Sequence, residues 1–210
     1  MVHELATTLT DFGLAAECGV FAWLLAGTAG PVAFWFRLLF ASVGGAAALG
    51  GAVHGFFPDA GSTAGTTLWT ATLLLTGVTA LAACGAGAHL RFPARVAGRI
   101  VGAASVRFVL YCAVVLLVSR EFVVAIVDYV PAAAFLLVVL ALEYRRRRET
   151  APLLGAIGLA LALVGSALQQ APIAGRNALY HATEAVALLL LFSAARHGGA
   201  TCSSTTSTRG

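Results

Sequence analysis

EFVVAIVDYVPAAAFLLVVLALEYRRRRE, residues 121–149, contains between Glu121 and Glu143 a single charge, Asp128, and closes on Arg145, Arg146, Arg147 and Arg148. A bilayer core is crossed by about 20 apolar helical residues. A run of arginines just beyond such a stretch marks its cytoplasmic end. This segment therefore reads as a membrane-spanning helix over 121–143, with its C-terminus inside.

The rest of the chain repeats the pattern. Apolar stretches at 8–27, 32–57, 66–88, 97–118, 151–170 and 177–195 predict six more spans. The expected fold is all-α, a seven-transmembrane helix bundle over residues 1–196, followed by a disordered Gly/Ser/Thr-rich tail over 197–210. Short connections make consecutive helices antiparallel neighbours. The first span is entered by TTLTD, where Thr8 and Asp11 have the spacing of a capping box. The N-terminus carries Glu4 and Asp11 and no basic residue, so the first span is expected to be retained rather than cleaved as a signal peptide.

Composition agrees. Hydrophobic residues make up 60% of the 210 and charged residues 10%, and the mean hydropathy is +0.91. A soluble domain is about one-quarter charged. All 13 basic residues are arginine. Without a lysine amine, no retinal or pyridoxal Schiff base and no P-loop can form. The arginine usage fits a GC-rich genome, and the expected location is a bacterial inner membrane. The net charge of +4 sits at helix ends and predicts no nucleic-acid partner. Cys18, Cys84, Cys112 and Cys202 are scattered and form no CxxC, so they read as small apolar residues.

Arginine placement orients the chain. Arg91, Arg95 and Arg99 follow the third span, Arg145–Arg148 the fifth, and Arg196 and Arg209 the seventh, whereas the opposite side has Arg120 and Arg176. The N-terminus is then outside and the C-terminus cytoplasmic. Trp23, Trp35 and Trp69 fall near span ends, as an interfacial belt requires.

An ionisable side chain at membrane depth is costly and faces the bundle interior. Counting 1.5 Å per residue from the outer end of each span brings several polar groups to one layer. His54 lies near the end of the second span. On the seventh, Asn177, His181 and Glu184 share one face, with Tyr180 beside them. Glu17 on the first span, Asp128 on the fifth and Gln169–Gln170 after the sixth reach similar depth. Arg107 comes within reach of Asp128, and a structural ion pair is expected there.

Four uses fit such a layer. His54, His181 and a carboxylate, Glu184 or Glu17, suit a zinc ion that activates water. His54 and His181 suit the two axial positions of a haem. A chain of His, Asp and Glu serves a proton or solute path. The same groups can also simply hydrogen-bond between helices and hold the bundle together.

Seven spans, an outside N-terminus, His54 at the outer end of span 2 and His181 early in span 7 resemble the CREST superfamily, which includes alkaline ceramidases and progestin/adiponectin receptors. The resemblance implies an intramembrane zinc and hydrolysis of a lipid amide or ester. It gives His54 the span 2 ligand role and His181 one of two span 7 roles. The chain departs from the family pattern in having Gly50 where the family has a serine, and no second span 7 histidine beside Asn177 and Ala185. Glu184 then stands in as ligand or general base, with Glu17 as a second acid/base candidate.

Overall fold

A computed structural model describes residues 4–57, 59, 61–169 and 175–203, with no side-chain description at 168 or 198–203. The described residues form seven helices: α1 (Leu5–Leu24), α2 (Pro31–Phe56), α3 (Thr63–Arg91), α4 (Ala94–Leu117), α5 (Phe122–Arg147), α6 (Thr150–Gln169) and α7 (Arg176–Ser203). Each corresponds to one expected span. Six of them, α2 to α7, are long and apolar enough to cross a membrane.

The ends follow local chemistry. Gly30, at φ +105°, turns the chain into Pro31, whose missing N–H costs nothing at the first helical position. Ser62 caps α3 by accepting from the Gly65 N–H at 3.1 Å. Arg148 closes α5 in the left-handed region, at φ 59°. The capping-box expectation at Thr8 and Asp11 is corrected. The helix already begins at Leu5, and Glu4 at its N-cap makes no side-chain cap bond. Thr8 and Asp11 are buried inside α1. At the other end, α7 continues to Ser203, past the expected boundary at 196, and His197 Nδ1 lies 2.9 Å from the Ser193 carbonyl oxygen within that extra turn. Residues 204–210 of the expected tail, Gln170 and the residues of the α6–α7 connection up to Ala174 lie outside the described residues.

The helices α1, α2, α3, α5, α6 and α7 pack side by side in that order, and α7 returns to α1, so the six close a ring. α4 stands outside it against α3 and barely meets α5. This departs from the expectation that consecutive helices are neighbours throughout. Small residues explain the choice. A Cβ on Gly87 of α3 would lie 2.7 Å from the Phe135 ring of α5, and a Cβ on Gly77 would enter the Tyr111 ring of α4. α3 thus presents two faces to which aromatic residues of different helices fit closely.

The outer face of α4 is apolar and exposed: Val106, Val109, Leu110 and Leu117 are 62–83% accessible. Such a surface is stable against lipid tails. One polar thread ties α4 inward. Arg107 Nε lies 3.5 Å from Asp128 Oδ1, and Arg107 Nη1 donates to the Asp128 carbonyl at 2.9 Å. This is the expected pair. It lies in the turn from which Pro131 withholds an N–H.

At the arginine-rich end, buried Glu143 faces Arg147 at 2.9 Å, with Arg91 and Arg146 each at 3.8 Å. Between that end and the opposite one lies an aromatic block. Phe21, Phe40 and Phe192, from α1, α2 and α7, meet with ring centroids 4.4–6.0 Å apart. With Phe36 they fill the ring interior at this level.

Candidate functional site

Above the aromatic block the ring is not filled. It encloses a cavity of about 140 Å³, lined from α1, α2, α3, α5, α6 and α7 and by nothing from α4. Phe122 is the first residue of α5 and Gln169 the last of α6, so the cavity reaches the end of the bundle opposite the arginines.

The most buried polar contact at the cavity joins α1 to α7. His181 Nε2 lies 3.2 Å from Asp11 Oδ1, and the two residues are 9% and 3% exposed. On the other side of the ring, His181 Nδ1 lies 3.4 Å from Thr10 Oγ1. The Thr10 hydroxyl also has the Ala6 and Thr7 carbonyls at 2.9 Å. Asp11 Oδ2 is buried and has no hydrogen-bond partner among the described residues.

Glycines of α2 make this burial geometrically feasible. A Cβ on Gly51 would lie 2.8 Å from Asp11 Cβ, and one on Gly55 2.9 Å from Thr8 Cγ2. α1 therefore seats directly on the α2 backbone. Gly50 faces the carboxylate instead, and a Cβ there would stand 3.8 Å from Asp11 Oδ2.

The other walls are chemically one-sided. On α3, Thr72, Thr76 and Thr79 recur at helical spacing, and each donates its hydroxyl to the carbonyl four residues earlier, at 3.0–3.1 Å. The Trp69 indole N–H donates to the Arg120 carbonyl at 2.8 Å. The Tyr129 hydroxyl is hydrogen-bonded to Ser166. Glu184 lines the cavity one turn below His181.

Of the expected site residues, His54, His181, Glu184 and Tyr180 all line this cavity. Asn177 does not; it borders a separate surface recess with Glu4 and Arg176. Glu17 is half-buried on α1 and is not in the lining, and Asp128 is turned to Arg107. His54 Nδ1 lies 3.4 Å from Glu4 Oε2, near the mouth. With one histidine drawn to Glu4 and the other to Asp11, no three His, Cys, Asp or Glu among the described residues are grouped to hold a metal ion.

Asp11 is the residue that sequence reasoning missed. The capping-box spacing placed it in the first turn of the helix, as a capping residue rather than a buried one. A signal was present, because Asp11, Leu14, Cys18 and Phe21 recur on one helical face, and all four are buried. The threonine stripe of α3 was missed as well, since threonine in an apolar helix carries no charge to attract notice.

The chain belongs to a family of unknown function, DUF6962, whose model matches residues 6–200 and so covers all the helical bundle but its outermost turns. No curated protein and no solved structure matches it.

Proposed function

We propose that this member of the family is a seven-span integral membrane protein, N-terminus outside and C-terminus cytoplasmic, that binds a small molecule in the ring cavity. The reading rests above all on the buried Asp11–His181 pair opening onto a cavity of about 140 Å³ with Asp11 Oδ2 left unbonded. A cavity of that size in a well-packed protein accommodates a molecule on the scale of benzene. Buried polar atoms without partners are few in native proteins, and a bound ligand gives this one its partner.

α1 counts as the seventh span for a physical reason. Its polar residues Thr7, Thr8 and Asp11 are buried against α2 and α7, while Leu5, Leu9, Phe12 and Val20 are exposed. The face offered to lipid is therefore apolar although the helix as a whole is less so. The orientation rests on the arginines at the opposite end.

A second reading is favoured by one observation: His54, His181 and Glu184 line the same cavity. It is the zinc-dependent lipid hydrolase implied by the CREST resemblance. It requires both histidines to leave their present carboxylate partners.

Native mass spectrometry and elemental analysis of the purified protein separate the two. On the binding reading, the wild type takes up a small organic molecule that Ala47→Phe, which fills the cavity from α2, does not. One zinc per chain, lost in both His54→Ala and His181→Ala, establishes the hydrolase instead.

A further inference from the structure

The balance of donors and acceptors in the cavity is uneven, and it specifies a ligand class. The hydroxyl donors of Thr72 and Thr76 are committed to their own helix, that of Thr79 to its helix or to Ser42 Oγ of α2 at 2.8 Å, and the Trp69 N–H to the Arg120 carbonyl. No arginine lines the cavity, and the chain has no lysine. His54, Tyr180 and Gln169 carry the remaining donors of the lining, and beside them stands open acceptor capacity. Asp11 Oδ2 and Gln169 Oε1 are buried without a partner among the described residues, and the Glu184 carboxyl faces the same space. The Asp11 side chain is 4% exposed.

The remaining walls are aromatic and aliphatic. Trp69 and Phe122 stand with ring centroids 6.0 Å apart at the mouth, and Tyr180 lies beside His181. Aromatic faces attract a desolvated cation, and a buried carboxylate oxygen is best satisfied by a charged N–H donor.

We infer that the cavity recognises a small organic cation, an ammonium group on a compact apolar body, held between Asp11 Oδ2 and Glu184. The inference rests on the small-molecule reading above. His181 occupies Asp11 Oδ1 and orients the carboxylate, so Oδ2 is presented to the ammonium. The apolar body lies against Leu14, Val43 and Trp69. A neutral ligand of the same shape leaves the two carboxyl groups without a charged donor.

Benzylammonium and benzyl alcohol have nearly the same shape and differ in charge. Calorimetric titration of each into the full chain in micelles, with Ala47→Phe as the control for partition into detergent, tests the inference. Benzylammonium is expected to bind at least tenfold more tightly than the alcohol. Glu184→Gln is expected to erase most of that preference while retaining binding of the alcohol, and Asp11→Asn to act likewise. Glu184 makes no hydrogen bond or ion pair within the described residues, so its variant tests the charge without disturbing the α1–α7 contact. Equal binding of the two probes, or tighter binding of the alcohol, overturns the cation inference and leaves the small-molecule reading standing. Binding of neither probe overturns both. A preference for the ammonium that survives both Glu184→Gln and Ala47→Phe places the cation elsewhere and overturns the site.

Discussion

Asp11 shows how one carboxylate can organise a bundle. It is 3% exposed, lies 3.2 Å from His181 Nε2 and is pressed against the backbone of α2 at Gly51. Removing one member of a buried pair strands the other, at a cost of about 3 kcal/mol. Asp11→Ala is therefore expected to lower the unfolding free energy in micelles by about that amount, and Asp11→Asn by less, because the amide keeps a polar group of the same shape beside His181. Unchanged stability of Asp11→Ala would mean that the pair does not form. The neighbouring glycines supply a sharper comparison. Gly51→Ala forces two backbones apart and is expected to cost about 1–3 kcal/mol. Gly50→Ala meets nothing closer than Asp11 Oδ2 at 3.8 Å and is expected to be nearly neutral. Equal effects on thermal unfolding would contradict the seating of α1 on α2. None of this was legible at position 11, because a Thr-x-x-Asp spacing describes a helix start as well as it describes two buried positions a turn apart. His54, His181 and Glu184 were legible, since an ionisable group in a long apolar stretch stands out without any knowledge of its partners.

Helix existence was easy to read and helix adjacency was not. Lipid requires every span to be long, apolar and internally hydrogen-bonded, so the helices separate cleanly along the chain, six of the seven being long and apolar enough to cross a membrane. Which helix touches which depends on small residues and single polar threads. The α4–α5 hairpin is short, yet the two helices scarcely meet, because α5 fits the Gly87 face of α3 while α4 takes the Gly77 face. The Arg107–Asp128 pair then carries much of the link between them, and it could be anticipated, because opposite charges at matching depth in one hairpin have few other partners. Arg107→Leu is expected to destabilise the protein by about 3 kcal/mol by stranding Asp128, whereas the double variant Arg107→Leu/Asp128→Leu recovers most of that loss. Additive effects in this double-mutant cycle, followed by chemical unfolding, would show that the pair contributes no coupling. α1 gives the converse lesson. It is not among the six helices long and apolar enough to cross a membrane, and its polar residues Thr7, Thr8 and Asp11 are buried.

At the scale of the whole molecule, six helices form a ring that is plugged by Phe21, Phe36, Phe40 and Phe192 and hollow on the side away from the arginines. The layer of polar groups was foreseeable from helix depth, because alternating spans bring every second helix end to the same face. The hollow itself was not, since it depends on how the ring closes between α1 and α7. The arrangement resembles a cup, with an acidic interior facing outward on the proposed topology. Thiol labelling of Ala46→Cys tests this most directly. Ala46 lines the cavity on α2, and a small water-soluble cationic reagent added outside intact cells is expected to modify its cysteine well above the wild-type background, with Ala47→Phe in the same chain blocking the reaction. A cysteine at 46 that stays unreactive from outside, or reacts only after the membrane is opened, would contradict an outward-facing cavity.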